Sequence, residues 1–242
     1  MKIVSNESKI VLDKPKFNCD TCLVNKKHLH KAGVFKELMY PHCCAYIGKA
    51  GSGKTTLLMS LLHNKNVYKK KFENILLVMP TNSRGSIKNF PDFPKDKQWD
   101  ELNAESIDEI IDFLTEATKR KERTLLIMDD IASQLKSSRY VMERLKHLVF
   151  NRRHLKCFID FTVQSYLTIP KDIRKNLTHC FIIGKPSKSE AEVLFQELFN
   201  FSKKDTMKLF ENIFKKKHDY LFLSIENSKM FNQDQDEIIY DV

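Results

Sequence analysis

Residues 48–55 read Gly48-Lys49-Ala50-Gly51-Ser52-Gly53-Lys54-Thr55, a full match to G-x-x-x-x-G-K-[ST]. Each fixed position answers a need of bound phosphate. The glycines let the backbone turn its N–H groups inward, making a nest for a β-phosphate. Lys54 brings a point charge to the β and γ oxygens, and the Thr55 hydroxyl can ligate Mg²⁺. The helix entered at Thr56 presents its positive dipole end to the same anion. The motif implies a nucleoside triphosphate as ligand.

A second group follows downstream. Thr124-Leu125-Leu126-Ile127-Met128 runs into Asp129-Asp130, paired carboxylates at the end of an apolar run. Asp129 is suited to the Mg²⁺ shell opposite Thr55, and Asp130 to orienting or deprotonating an attacking water. One acid would serve a kinase or a GTPase equally well. The adjacent second acid points to ATP hydrolysis. Gln164 closes another apolar run, Cys157–Val163, and can hydrogen-bond a γ-phosphate or the water if its strand lies beside the loop.

These residues need a scaffold that brings them to one edge. Apolar runs at Cys43–Ile47, Asn74–Met79, Thr124–Met128, Cys157–Val163 and His179–Ile183 alternate with helical stretches. Capping-box patterns at Ser106-Ile107-Asp108-Glu109 and Ser187-Lys188-Ser189-Glu190 open two of the helices, the first running to about Lys121. A long helix covers roughly Ser138 to Arg152. Tyr220–Ile225 and Glu237–Tyr240 read as one or two closing strands, and residues 86–104, with Pro91, Pro94 and Trp99, as a loop-rich insertion. Strands alternating with helices predict an α/β fold with a mostly parallel sheet covered on both faces. Ligands of such sheets sit beyond the carboxyl ends of the strands, where the loop, the acids and the glutamine would meet.

The 242 residues divide into an amino-terminal lead-in, 1–40, with short β-like stretches at Ile3–Val4 and Ile10–Leu12, and a domain over 41–242. No apolar run reaches the length of a membrane span and the first residues do not form a signal peptide, so a soluble intracellular protein is expected. The net charge of +10 and the clusters Lys69-Lys70-Lys71, Lys119-Arg120-Lys121 and Lys215-Lys216-Lys217 suit a polyanionic partner or a solvated lysine-rich surface. Six cysteines are expected as reduced thiols. Cys19-x-x-Cys22 with His28 and His30 leaves a zinc site as the alternative.

The phosphate loop, Asp129-Asp130, Asn151-Arg152-Arg153-His154, the strand ending at Gln164, and Ile169-Pro170-Lys171-Asp172-Ile173-Arg174-Lys175-Asn176 together resemble the FtsK–HerA superfamily. Within it the chain looks most like the genome-packaging ATPases of large DNA viruses such as poxviruses, giant viruses and virophages. The resemblance covers about residues 43–200 and implies a P-loop NTPase fold of RecA-like (ASCE) type, a three-layer sandwich. It places the glutamine strand between the loop strand and the aspartate strand. It also implies a homo-oligomeric ring that hydrolyses ATP with Mg²⁺ to move double-stranded DNA into a capsid, in the viral factory or the virion. DNA would be held through its backbone, capsid proteins are possible partners, and no membrane is involved.

In that family an arginine at the start of the glutamine strand completes a neighbour's site, and Arg152 and Arg153 hold that place. Geometry agrees: Cys157–Val163 at ~3.3 Å per residue separates its ends by roughly 23 Å, too far for an arginine to reach its own γ-phosphate. Arg174 is a third candidate for an interface or DNA contact. The wider superfamily pairs the metal aspartate with a glutamate, whereas Asp130 is one methylene shorter. Two other functions fit the loop: a nucleotide kinase, disfavoured because residues 86–104 contain no arginine, and an ATP-gated assembly protein with little turnover.

Overall fold

Near-continuous apolar runs form strands buried on both faces, and the centre of the sheet here is built from them. The computed structural model describes residues 30–85, 87, 90, 93–131 and 138–239. In chain order the strands are β1 (Cys43–Ile47), β2 (Asn74–Val78), β3 (Gln98–Trp99), β4 (Thr124–Met128), β5 (Cys157–Val163), β6 (His179–Ile183), β7 (Tyr220–Ser224) and β8 (Lys229–Phe231). They form one sheet in the order β3-β2-β4-β5-β1-β6-β7-β8. Pairing is parallel from β3 through to β6 and antiparallel for β6–β7 and β7–β8. Every residue of β1, β4, β5 and β6 is buried.

The helices are α1 (Lys54–His63), α2 (Thr81–Gly85), α3 (Ala104–Lys119), α4 (Arg139–Asn151), α5 (Lys171–Arg174), α6 (Lys188–Phe199) and α7 (Lys203–Ile213). One face of the sheet is covered by α3, α4, α6 and α7 through Ile110, Leu114, Leu145, Leu148, Phe195 and Phe210. The other face is covered by α1 through Leu58, Met59, Leu61 and Leu62. Phe35, Leu38 and Met39, from a 3₁₀ segment at His30–Met39, pack into that second layer as well. The result is the expected three-layer α/β sandwich. Asp160, fully buried in the middle of β5, is held by His42 Nε2 at 3.0 Å and by the Tyr46 hydroxyl at 3.3 Å.

Several boundaries differ from those read off the sequence. The insertion contributes a short parallel edge strand, β3, because Gln98 and Trp99 pair with Leu77 and Val78. Helix α3 starts two residues before Ser106: Asn103 is the cap, and Ser106 is its partner in the capping box. At α6, Ser187 caps as expected, but the Glu190 carboxylate accepts from the Tyr166 N–H instead of closing the box. Helix α7, capped by Ser202, was not anticipated. Closure falls to Lys229–Phe231, whereas Glu237 makes only an isolated bridge with Phe231. The stretches at Ile3–Val4 and Ile10–Leu12, and Cys19, Cys22 and His28, lie outside the described residues. Cys43, Cys44, Cys157 and Cys180 are free and buried, and burial pushes the Cys43 thiol up to about 12, leaving it inert as a nucleophile at neutral pH.

Candidate active site

The phosphate loop leaves β1 at the carboxyl edge of the sheet. The Gly48 N–H donates to Val163 O at 3.1 Å, extending the β1–β5 pairing into the loop. A side chain at position 48 is impossible without rearrangement: its Cβ would lie 2.4 Å from Ile183 O and 2.6 Å from Ser52 Oγ. Gly53, at φ 103°, makes the left-handed turn that starts α1, so the helix amino end faces the loop. Lys54 is almost buried and curls across the loop, donating to Gly48 O at 2.8 Å and Lys49 O at 3.2 Å. Burial lowers its pKa, and the negative charges of Asp130 and Asp129 act against that shift.

Asp129 and Asp130 follow β4, two strands from the loop. The Thr55 hydroxyl donates to Asp129 Oδ1 at 3.1 Å. With its proton committed there, Thr55 presents lone pairs outward beside the carboxylate, a hard oxygen pair suited to Mg²⁺. Burial raises the Asp129 pKa, while hydrogen bonds from Thr162 and Thr55 oppose the rise. A divalent cation would favour the ionised form. Among the described residues no group of three or more His, Cys, Asp or Glu is arranged to hold a metal, so phosphate oxygens and water would have to complete the shell.

Asp130 has a left-handed backbone, φ 52°, at the turn out of β4. Such a conformation costs a non-glycine residue about 1–2 kcal/mol, least for Asp and Asn. Its N–H is taken up by Thr162 Oγ1 at 2.8 Å, and the Thr162 hydroxyl donates in turn to Asp129 Oδ1 at 2.8 Å. One buried threonine thus fixes both acids. Gln164 stands two residues further on, in the bend that follows β5. Its Nε2 lies 3.4 Å from each carboxylate oxygen of exposed Asp130.

The structure therefore brings Lys54, Thr55, Asp129, Asp130 and Gln164 to one edge. It sends the arginines to the other. Arg152 and Arg153 precede β5 at the amino end of the sheet. Arg152 is 6% exposed, donates to Val149 O at 3.0 Å, and burial lowers its pKa. The Arg153 side chain is 51% exposed and meets Glu226 Oε1 at 2.8 Å, so of the pair it is the one that can leave its partner. Arg174 lies over the Tyr166 ring, 5.0 Å from its centroid, and pairs with Glu197 at 3.2 Å, which holds it within its own chain. The lysine clusters also separate: Lys215–Lys217 precede β7 at the carboxyl edge, whereas Lys69–Lys71 and Lys119–Lys121 precede β2 and β4 at the amino edge.

Two contributors were missed. Thr162 carried a signal, its i, i+2 spacing from Gln164. His218 carried none: a lone histidine after a lysine run, it donates from Nδ1 to Ser52 O at 2.9 Å.

A glutamine-bearing strand lying between the loop strand and the aspartate strand of a mostly parallel sheet is an arrangement of P-loop NTPases, and this fold belongs to that class. The chain is a member of the family described as Poxvirus A32 protein, whose model matches residues 35–242. No curated protein sequence matches it. Among solved structures it is similar to the DNA-packaging ATPase B204 from Sulfolobus Turreted Icosahedral Virus, with 14% identity, 83% of this chain and 99% of that chain covered, and a TM-score of 0.61. The genome packaging NTPase B204 from Sulfolobus turreted icosahedral virus 2, solved with AMPPCP, gives 12% identity, coverage of 83% and 100%, and a TM-score of 0.57. EssC (ATPases 2 and 3) from Geobacillus thermodenitrificans gives 15%, 64% and 34%, and 0.50. At these identities the likeness is one of fold. No helix among the described residues is long and apolar enough to cross a membrane.

Proposed function

We propose that the chain hydrolyses ATP with Mg²⁺ and couples hydrolysis to moving double-stranded DNA, as one subunit of a homo-oligomeric ring that packages a viral genome. The observation that carries the hydrolytic part is the placement of Gln164 against Asp130, one strand from the phosphate loop. Water held by that carboxylate and that amide would lie at the sheet edge where the phosphate loop and Lys54 hold the γ-phosphate. Residues 48–56 cradle the phosphates, Thr55 and Asp129 hold Mg²⁺, and Asp130 orients or deprotonates the water. The solved relatives named for packaging, and the one carrying AMPPCP, support nucleotide binding and the packaging assignment.

The ring reading rests on Arg153, exposed and a strand length away from its own loop. DNA contact is assigned to lysines acting on the phosphate backbone, with Lys215–Lys217 and Lys69–Lys71 as the groups to examine. Residues 1–40 are read as a lead-in to an ATPase domain over 41–242, with capsid proteins as further partners in the viral factory or the virion.

The test is ATP turnover with and without duplex DNA over a range of salt, alongside Asp130→Asn. DNA should stimulate turnover in a salt-dependent way, and the variant should bind ATP while turning over at least about 10²-fold more slowly. A rate indifferent to DNA, with no oligomer formed on ATP, overturns the motor. Wild-type turnover in Asp130→Asn removes that residue from the chemistry. Binding without turnover in the wild-type chain selects the assembly-protein reading, and phosphate transfer to a nucleoside monophosphate selects the kinase.

A further inference from the structure

The turn between α7 and β7 presses against the phosphate loop from the side opposite the acids. It is tightly pinned. Asp219 is buried, and one oxygen of its carboxylate accepts from the N–H groups of Lys215 at 2.8 Å and Lys216 at 2.7 Å. Its carbonyl accepts from the Gly184 N–H at 2.8 Å. Gly184, at φ 72°, lets the turn come close: a Cβ there would lie 3.2 Å from Lys217 O. The turn so held carries His218, whose Nδ1–H donates to Ser52 O at 2.9 Å. The ring also borders Gly53, where an added Cβ would lie 3.6 Å from Nδ1.

In a trans peptide the C=O and the next N–H point in opposite directions, and the group rotates as a rigid plane. The chain has no cis peptide bonds in its described residues. Holding Ser52 C=O toward His218 therefore turns the Gly53 N–H away from it. Gly53 needs such a hold more than most residues, because glycine at φ 103° has little steric preference to keep that plane in place. We infer that His218 is a positioning residue for the anion nest: it clamps the Ser52–Gly53 peptide and aims the Gly53 N–H at the phosphate. The inference rests on the reading of residues 48–55 as the nucleotide site. It assigns the histidine no contact with nucleoside or metal.

The donor, not the ring, is what matters, so two substitutions separate the roles. His218→Phe keeps an aromatic ring against Gly53 without a donor. His218→Asn puts an amide N–H where Nδ1 stands. Affinities of the full chain for ATP and for inorganic tripolyphosphate, by calorimetry with Mg²⁺, give the readout. His218→Phe should bind both ligands roughly 5-fold more weakly, the worth of about one net hydrogen bond, and His218→Asn should recover most of that factor. Because the nest is reached before chemistry, KM for ATP should rise in His218→Phe with kcat near wild type.

Unchanged affinity in His218→Phe overturns the inference. So does a loss seen with ATP but not with tripolyphosphate, which would place the histidine on the nucleoside. Equal losses in Phe and Asn variants that melt like wild type also overturn it, because they make ring packing the cause. Lys54→Ala serves as the reference for the site itself. If wild type binds neither ligand, the phosphate-loop reading fails; if wild type binds and Lys54→Ala does not, a null result at His218 counts against His218 alone.

Discussion

Thr162→Val removes one hydroxyl and leaves a side chain of nearly the same shape. The position is fully buried, and its hydroxyl makes two bonds at once, to Asp129 Oδ1 and from the Asp130 N–H, each 2.8 Å. A bond to an ionised carboxylate is worth about 1.5–3 kcal/mol and one to a neutral backbone N–H about 1 kcal/mol. Asp129 keeps its bond from Thr55, and Asp130 is exposed enough for water to take its N–H, so both losses fall at the lower end. The sum is about 2–3 kcal/mol. For a chain of this size that lowers the melting midpoint by roughly 4–12 °C. Catalysis suffers separately. The Thr162 bond is what holds Asp130 in its left-handed turn, and a released carboxylate drifts from Gln164. A displacement of about 1 Å at such a group costs on the order of 10²-fold in kcat. Thr162→Ser keeps the hydroxyl and should restore most of the turnover. Thermal melts and steady-state ATPase rates, measured on all three proteins, decide the matter. A valine variant that melts and turns over like wild type refutes the role given to Thr162.

Arg153→Ala should lower kcat by about 10³-fold or more if the guanidinium completes a neighbouring site. It should leave ATP affinity of isolated subunits unchanged, since its own loop is a strand length away. Mixing Arg153→Ala with Lys54→Ala should then recover activity, because rings of both contain some intact sites; two inactive variants that stay inactive when mixed count against action in trans. The buried Asp129 supplies a pH prediction. Burial raises its pKa, so the cost of its charge to the metal-free fold is absent below the ordinary carboxylate pKa and complete above the raised one. Mg²⁺ takes the ionised form. Metal affinity should therefore be full above the raised value and fall as pH drops through it, at a higher pH than an ordinary aspartate would give. A Mg²⁺ dissociation constant from calorimetry that stays flat across that acid range contradicts it.

The sheet was legible because its strands are buried on both faces. Thr124–Met128 is apolar after its first residue, and Cys157–Val163 is mostly apolar around Asp160 and Thr162, which are buried with it. The edges were not legible for the converse reason. Gln98–Trp99 is half-buried and too short to show a period, and Lys229–Phe231 begins with an exposed lysine. The loop, Asp129-Asp130 and Gln164 announced themselves because each ends an apolar run. Arg152 and Arg153 could not be told apart, since adjacent residues after a helix differ only in which way they turn. The fold turns Arg152 inward onto Val149 O and leaves Arg153 out with Glu226. His218 was beyond reach, because its partner is a backbone carbonyl 166 positions away.

Strand β5 ties these features into one mechanical element. Its carboxyl end holds Thr162 under both acids and leads into Gln164 beside Asp130, and its amino end is joined to Arg153 by the turn His154–Lys156, with the Cys157 N–H donating to Arg152 O at 2.9 Å. It pairs along its length with β1, which carries the phosphate loop, and with β4, which carries the acids. A strand clamped between two neighbours and buried on both faces does not bend easily. Displacement at one end therefore moves the other. In a ring, a displacement of Gln164 on loss of the γ-phosphate would be passed along β5 to the turn that carries Arg153. If Arg153 serves a neighbour's site, its salt bridge to Glu226 is a contact to be broken first. Exposed on both sides, that bridge is worth only about 0–1 kcal/mol, so the recruitment costs little.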